Sequence, residues 1–285
     1  MKRGQLQTLI EGKNLAIGAF FVARHGLGCL VCQKRLYGRL NGLYEQSTQH
    51  TNFFLLCFVY DCIYSYFHLI IHTMPTIAFL SQKGGAGKTT LATCVARELV
   101  LQGLDVVLVD ADSQGSARDW RASTESETVP VIGMDRPTLD KDIKILNPTG
   151  GRWIIIDGAG RRESMTASAI RAADVVLIPV HPSPYDIWAA NDIVDLVKSR
   201  QAVTDGKPKA AFLISKVVKR TRLTGEINEA LAEFAIPVFN SFTTQRQAYP
   251  TAAAQGLTPS DTEPNGEAAK EICSIVQELR SFVNS

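Results

Sequence analysis

The chain has 285 residues, 30 Lys and Arg against 28 Asp and Glu, and a formal net charge of +2. This length allows one sizeable domain together with an appendage. The sequence carries no internal repeats or low-complexity tracts, which excludes repeat arrays and compositionally biased chains.

Composition divides the chain near residue 73. Residues 1–73 hold 7 of the basic and 3 of the acidic residues, together with 4 of the 6 cysteines and 4 of the 5 histidines. The remaining 23 basic and 25 acidic residues give residues 74–285 a net charge of −2, which does not by itself indicate DNA binding. We therefore expect two pieces, an N-terminal extension over 1–73 and a single domain over 74–285.

The extension contains one long apolar stretch, residues 53–71. The stretch is long enough to span a bilayer, although Asp61 near its centre would cost roughly 2.5–3.5 kcal/mol on insertion. It starts too late in the chain for a secretory signal. Cys29 and Cys32 form a single C-x-x-C pair, which is a weak indication of zinc because no second pair follows at zinc spacing.

Apolar strand patterns and helical patterns alternate beyond the extension. The predicted strands are 77–80, 106–109, 153–156, 175–180 and 211–214. Helical patterns are clearest at 186–200, 225–234 and 266–283, and 258–266 is predicted to be a loop. The alternation predicts an α/β fold with a mostly parallel central sheet and helices on both faces, because continuous apolar strands are typical of strands that are buried on both sides.

Residues 81–90, SQKGGAGKTT, lie between the first predicted strand and a helical pattern. The usual phosphate-binding pattern, G-x-x-x-x-G-K-[ST], would place a glycine at position 82. This chain has Gln82 there, followed by Lys83, a second lysine that an ordinary phosphate-binding loop does not use. Strand, glycine-rich loop and helix in this order predict an anion site, because the helix dipole and its free N–H groups favour negative charge.

The residue types of this loop suit a nucleotide. Gly84, Gly85 and Gly87 let the backbone turn its N–H groups toward phosphate oxygens. Lys88 would neutralise charge on the β- and γ-phosphates, and Thr89 would bind Mg²⁺ through its hydroxyl. The predicted nucleotide-binding residues are Gly84, Gly85, Ala86, Gly87, Lys88, Thr89 and Thr90.

The loop with its extra lysine resembles the deviant Walker A motif of the ParA/MinD family of ATPases. Three more segments resemble motifs of that family in the right order. Residues 106–116, VVLVDADSQGS, match the V-D-x-D-x-Q motif, 154–160 match the Walker B strand, and 174–180 match the A-D-x-x-x-x-P strand. The resemblance runs from Met74 to about Ser285 and is greatest to the short, ParF-like ParA proteins of plasmid partition, which lack an amino-terminal helix-turn-helix domain.

The resemblance implies a P-loop NTPase that hydrolyses ATP with Mg²⁺. Lys83 would reach across a homodimer to the partner's nucleotide and would act there as an arginine finger does. Lys83, Lys88 and Asp112 are therefore the predicted catalytic residues, with Asp112 positioning the attacking water. Thr89, Asp110 and Asp157 are the predicted metal-site residues, and Asp157 also ends an apolar strand at the carboxyl edge where such sheets bind ligands. A purely structural turn role for Asp110 or Asp112 is the alternative.

The same resemblance bears on the start of the protein. Short ParA proteins would begin where Met74 precedes the first strand. We expect Met74 to be the native start and 1–73 to come from an over-extended reading frame, or else to be disordered. The alternative is a real membrane anchor formed by 53–71. The intact mass of the protein made from its own locus distinguishes the two, because a mass that includes 1–73 rejects the first.

A partition ATPase must also bind DNA without reading its sequence, through contacts from basic side chains to phosphate. The predicted DNA-binding cluster is Lys216, Lys219, Arg220 and Arg222, supported by Arg246 and Lys270. A solvated basic surface is the alternative. The implied partners are a second copy of the chain, non-specific DNA and a ParB/ParG-like centromere-binding protein. No disulfide is indicated, so we expect a cytoplasmic, nucleoid-associated protein.

Three other classes of protein share features with this sequence. A MinD-like membrane switch would use the final helix as a basic amphipathic tail, but Glu267, Glu271 and Glu278 offset its basic residues, so packing on the domain core explains the helix better. A membrane role would otherwise need 53–71 to be translated and inserted. A metal-cluster carrier would need clustered thiolates, whereas Cys94 and Cys273 are far apart in sequence. A non-catalytic scaffold conflicts with the intact motif residues. The adenine pocket is expected between 212–216 and 242–250.

Overall fold

The computed structural model describes residues 74–147, 151–160, 162–218 and 229–285. The N-terminal extension, with its apolar stretch and its C-x-x-C pair, lies outside these residues, and so do Lys219, Arg220 and Arg222. The strands are β1 Thr76–Phe79, β2 Val106–Asp110, β3 Val131–Gly133, β4 Trp153–Asp157, β5 Val175–Val180 and β6 Lys209–Ile214. The helices are α1 Lys88–Leu101, α2 Ser116–Ala122, α3 Leu139–Leu146, α4 Glu163–Ala172, α5 Pro184–Ala189, α6 Asn191–Gln201, α7 Ala248–Ala253, α8 Pro259–Thr262 and α9 Glu267–Asn284.

The six strands form one parallel sheet in the order β3-β2-β4-β1-β5-β6. β1 lies inside the sheet, between β4 and β5, and Phe79 at its end is in register with Asp157. Asp157 is in turn in register with Asp110 of β2. Because parallel strands end at the same edge, the loop after β1 and the acidic ends of β2 and β4 meet there.

Successive residues of each strand contribute to separate hydrophobic cores on the two faces of the sheet. On one face, Ile77 and Phe79 belong to a core that includes α1, α2 and α9. On the other face, Ala78 and Leu80 belong to a core that includes α3, α4 and α6. This arrangement follows from the two-residue period of strand side chains, and it confirms the predicted α/β fold with helices on both faces.

Three local features differ from the sequence prediction. β3 was not predicted, and the predicted loop 258–266 contains α8, which begins with a capping box between Thr258 and Asp261. The predicted helix 186–200 is two helices, α5 and α6. Its interruption is small, because Ala190 keeps helical backbone angles and its N–H bonds to the Ile187 carbonyl at 3.1 Å, as in a tighter 3₁₀ turn.

The final helix packs on the domain as predicted. α9 buries Ile272, Ile275, Val276 and Leu279 in the core that it shares with α1. The Lys209 ammonium donates to two carbonyls of the last turn of α9, which suits the negative end of the helix dipole. Within the described ranges, no helix combines the length and the apolar character needed to cross a membrane.

Candidate active site

The loop after β1 is shaped to receive an anion. Gly85 and Gly87 have φ of 81° and 91°, a left-handed conformation that favours glycine. Gly87 is the N-cap of α1, and it supplies no side-chain hydrogen bond to the first turn. The N–H groups of that turn have no partner inside the helix, so they and the helix dipole favour a phosphate at this position.

Lys88 lies close to the carboxylates at the sheet edge. Its ammonium is 3.5 Å from the Lys83 carbonyl oxygen. The ammonium also lies close to Gly160, just beyond β4, because a Cβ placed on that glycine would be 3.4 Å from the Lys88 Nζ atom. Burial lowers the pKa of Lys88, while the negative charges of Asp157 and Asp112 act to raise it. The ammonium is therefore partly desolvated beside two carboxylates, where a phosphate would find a strong counter-charge.

Asp157 is the buried acid of the site, with only 2% of its surface exposed. Burial raises the pKa of Asp157 to about 7, and the charges of Asp110 and Asp112 add to this, whereas a Thr89 hydrogen bond and the Lys88 charge act in the opposite direction. Among the described residues, its Oδ2 atom has no hydrogen-bond partner. An orphaned carboxylate oxygen beside a threonine hydroxyl fits a hydrated Mg²⁺, which commonly keeps its waters and takes few protein ligands.

Asp110 lies behind this edge and has no exposed surface. Its Oδ1 accepts from the Asp112 N–H at 3.1 Å, and its Oδ2 accepts from the Arg118 N–H and Nε at 3.0 and 3.3 Å. The Asp112 carboxylate accepts from the Gln114 N–H at 3.0 Å, which closes a turn over residues 110–114, the acidic turn. Sequence reasoning missed Arg118, because its contact with Asp110 depends on the turn.

Lys83 forms a salt bridge with Asp186 of α5, a carboxylate that is 3% exposed. His181 lies on the other side of Asp186, with its Nδ1 atom 3.9 Å from Oδ1. Burial lowers the pKa of His181, opposed mainly by the Asp186 charge. The two lysines of the loop therefore have different surroundings, with Lys88 beside the sheet-edge carboxylates and Lys83 on α5.

The end of β6 holds the loop from the other side. The Ser215 hydroxyl donates to the Ala86 carbonyl at 2.9 Å, and the Lys216 ammonium donates to the Gly85 carbonyl at 2.7 Å. Lys216 has a φ of 54°, which is uncommon for a residue with a side chain. Its N–H donates to the Thr243 hydroxyl at 3.2 Å, so the two segments expected around adenine are adjacent.

The structure describes Lys216 alone from the predicted DNA-binding cluster, and its ammonium contacts the loop. The two supporting basic residues are also paired, Arg246 with Glu271 and Lys270 with Glu267. Cys94 is buried, and burial raises the pKa of its thiol to about 12. In the described part of the chain, no group of three or more His, Cys, Asp or Glu residues is placed to hold a metal.

Comparison with known proteins gives a family match over most of the described chain. The model of the CobQ/CobB/MinD/ParA nucleotide binding domain, CbiA, matches residues 77–259. A maintenance of carboxysome distribution protein A from Halothiobacillus neapolitanus is 30% identical over 209 residues, which covers 72% of this chain and 95% of that protein. A ParA protein from Rhizobium radiobacter is 29% identical over 181 residues, 62% of this chain and 81% of that protein.

Solved structures share the fold. MinD of Aquifex aeolicus superposes with a TM-score of 0.60 at 17% identity, over 73% of this chain and 98% of that one. Apo McdA of Cyanothece gives a TM-score of 0.59 at 18% identity, over 72% and 99% of the two chains. The chain belongs to the CobQ/CobB/MinD/ParA family, and it is a nucleotide-binding ATPase of the ParA/MinD type, a type that acts in positioning or partition.

Proposed function

We propose that this ATPase segregates plasmid or chromosomal DNA. ATP brings two copies together, the pair binds DNA without sequence preference, and a ParB/ParG-like centromere-binding protein stimulates the hydrolysis that separates them. The observation that carries the ATP-dependent pairing of two copies is the position of Lys83. It belongs to the phosphate-binding loop, yet it is paired with Asp186 while Lys88 lies beside the carboxylates of the site.

Hydrolysis within one copy follows from the arrangement at the sheet edge. The first turn of α1 and Lys88 hold the phosphates and compensate their charge. Thr89 and the free oxygen of Asp157 would hold hydrated Mg²⁺, which neutralises charge that develops on the transferred phosphoryl group. Asp112 lies two residues beyond Asp110, which is in register with Asp157, and it would orient the attacking water.

Lys83 is the residue that makes the mechanism depend on a second copy. Its side chain is 42% exposed, so a partner surface can approach it. A lysine that leaves Asp186 and reaches the partner's phosphates would stabilise transition-state charge there, and such contacts are worth about 10³–10⁵ in rate. ATP would then be enclosed between two subunits, which links nucleotide binding to dimerisation.

The DNA contact is proposed for the basic residues that follow β6. Lys219, Arg220 and Arg222 lie outside the described residues, immediately after Val218, which is 53% exposed. Two copies would double such a local patch, so DNA binding would depend on the ATP-bound dimer. A relative from Thermus thermophilus named chromosome-partitioning ATPase Soj, 24% identical over 238 residues, supports a DNA cargo. The ATP-bound protein would then be cytoplasmic and associated with the nucleoid.

One observation favours a second candidate cargo. The relative with 30% identity, matched over 95% of its length, is named for the distribution of carboxysomes rather than DNA. The same ATP-dependent dimer on DNA would then position a protein body. A MinD-like membrane switch has less support, because the apolar face of α9 is used in the core.

ATP hydrolysis by the full chain, with and without non-specific duplex DNA, tests the proposal. We expect slow turnover that DNA raises, and the effect should decrease as salt increases because phosphate contacts release counterions. Lys88→Ala serves as the control that abolishes nucleotide-dependent turnover. A rate of hydrolysis that DNA does not change but vesicles of anionic lipid raise would reject DNA partition in favour of the membrane switch.

A further inference from the structure

Arg118 of α2 contacts the acidic turn at two points. Its N–H and Nε both donate to Asp110 Oδ2, at 3.0 and 3.3 Å, and its Nη2 donates to the Asp112 carbonyl at 3.2 Å. Asp110 is wholly buried, and in the described ranges its salt bridge is to Arg118. A buried carboxylate without a counter-charge is costly, so the pair constrains both residues.

Two glycines leave the space that the Arg118 side chain occupies. A Cβ on Gly133 would be 3.0 Å from Nη1, and a Cβ on Gly115 would be 3.1 Å from Nη2. Gly133 ends β3 in register with Asp110, so a larger residue there would crowd the guanidinium that binds this carboxylate. The guanidinium therefore forms hydrogen bonds to the acidic turn and also lies close to the backbone of Gly115 and Gly133.

The Asp110–Arg118 pair also holds the backbone of Asp112. The Asp112 N–H bonds to Asp110 Oδ1, and the Asp112 carbonyl bonds to Arg118. Both backbone polar groups of Asp112 are therefore fixed by the Asp110–Arg118 pair, while its carboxylate remains close enough to affect the pKa of Lys88 and of Asp157. A planar guanidinium presents its N–H donors in a rigid fork that suits these two acceptors, whereas the ammonium of a lysine is a flexible point charge.

We propose that Arg118 is a positioning residue for ATP hydrolysis, one that holds the acidic turn so that the Asp112 carboxylate faces the phosphoryl group and its attacking water. The inference rests on the role proposed for Asp112. It assigns Arg118 no contact with nucleotide. Its loss should therefore reduce kcat and leave the affinity for nucleotide nearly unchanged, because Lys88 and the first turn of α1 are not part of the pair.

The test separates positioning from simple charge compensation. Arg118→Met in the full chain should lower kcat by about tenfold or more, since displacements near 1 Å cost up to about 10² in rate, with nucleotide affinity changed less than threefold. Arg118→Lys, which keeps the charge but not the two-point contact, should retain thermal stability and recover kcat only in part.

The second comparison is made in the Asp110→Asn background, where no buried charge needs a counter-ion. If Arg118 positions Asp112, removing it from this background still lowers kcat several-fold while Tm stays the same. An unchanged kcat there would show that Arg118 serves Asp110 alone and would overturn the inference. Asp112→Asn is measured alongside, and a variant with normal kcat would reject the role of Asp112 itself, and with it the inference, independently of Arg118.

Discussion

Lys83 and Asp186, 103 residues apart in sequence, form a salt bridge that joins the phosphate-binding loop to α5. The carboxylate is almost fully buried, whereas the lysine side chain is 42% exposed. Solvent screens the exposed lysine, but its departure would leave the buried Asp186 carboxylate without this counter-charge, which is costly. Contacts of Lys83 with a second copy and its nucleotide would have to exceed that cost to release the lysine.

The first prediction concerns dimerisation. Lys83→Ala should abolish ATP-dependent dimerisation and stimulated hydrolysis, because Lys83 is the loop residue proposed to reach a partner's phosphate. Light scattering with ATP, compared with ADP, measures the change. Lys141→Ala, which removes an exposed lysine of α3, is the matched control and should dimerise normally. A normal ATP-bound dimer of the Lys83 variant would contradict the proposed role in the partner's site.

The second prediction separates two roles for Lys216. Its ammonium bonds to the Gly85 carbonyl at 2.7 Å, although the residue was expected to contact DNA. Lys216→Ala should weaken ATP binding about fivefold, since a partly exposed, charge-assisted hydrogen bond contributes about 1 kcal/mol. Titration with a fluorescent ATP analogue measures this, with Lys198→Ala of α6 as control. Weaker DNA binding at unchanged ATP affinity would instead support the original assignment.

The third prediction concerns the basic residues after Val218. Replacing Lys219 and Arg220 together by alanine should weaken DNA binding while sparing hydrolysis measured without DNA. The salt dependence of binding should also become shallower, by about one unit of slope for each lost phosphate contact. Filter binding over a salt series gives the slope. An unchanged slope would show that DNA binds elsewhere on the protein.

The regular parts of the fold could be predicted from the sequence for a physical reason. Five of the strands are continuous apolar runs that are buried on both faces, which is a strong local signal. β3 lacks this signal, because at the sheet edge two of its three residues are only partly buried and the third is exposed. The break between α5 and α6 also has no local signal, since Ala190 is a good helix former and keeps helical angles.

The candidate site also has a part that could be predicted from the sequence and a part that could not. Loop, lysine, threonine and strand-end acids follow a local pattern, so they could be located without coordinates. The partners that hold them come from distant segments, such as Asp186 for Lys83 and Ser215 for Ala86, and no spacing rule links them. Lys216 is a further example, because its hydrogen bond to the Gly85 carbonyl joins segments that lie far apart in the sequence.

The fourth prediction concerns the close contact between β1 and the end of β4. A Cβ on Gly158 would lie 2.9 Å from the Phe79 carbonyl oxygen and would overlap the Leu80 side chain. Gly158→Ala should therefore lower the free energy of unfolding by about 1–3 kcal/mol, as overpacking does. Urea unfolding without nucleotide measures it. Gly84→Ala is the control, because nothing lies within 4 Å of its Cβ, and equal stability of the two variants would contradict the crowding.

The fifth prediction follows from the pKa of Asp157, raised by burial to about 7. Between about pH 4 and 7 the folded protein keeps a proton that the unfolded chain has lost, so this residue lowers the free energy of unfolding as pH rises. Asp157→Asn should remove that slope and, without Mg²⁺, should make the variant more stable than the parent at pH 8 by on the order of a few kcal/mol.

His181, whose pKa is lowered by burial, changes the free energy of unfolding with pH in the opposite direction, but it does so equally in the parent and in the Asp157 variant. Urea unfolding in EDTA at pH 5 and pH 8 measures the difference, and Asp135→Asn, an exposed carboxylate, should match the parent at both. A variant that loses stability at pH 8 would show that the ionised carboxylate is held by favourable contacts rather than strained by burial.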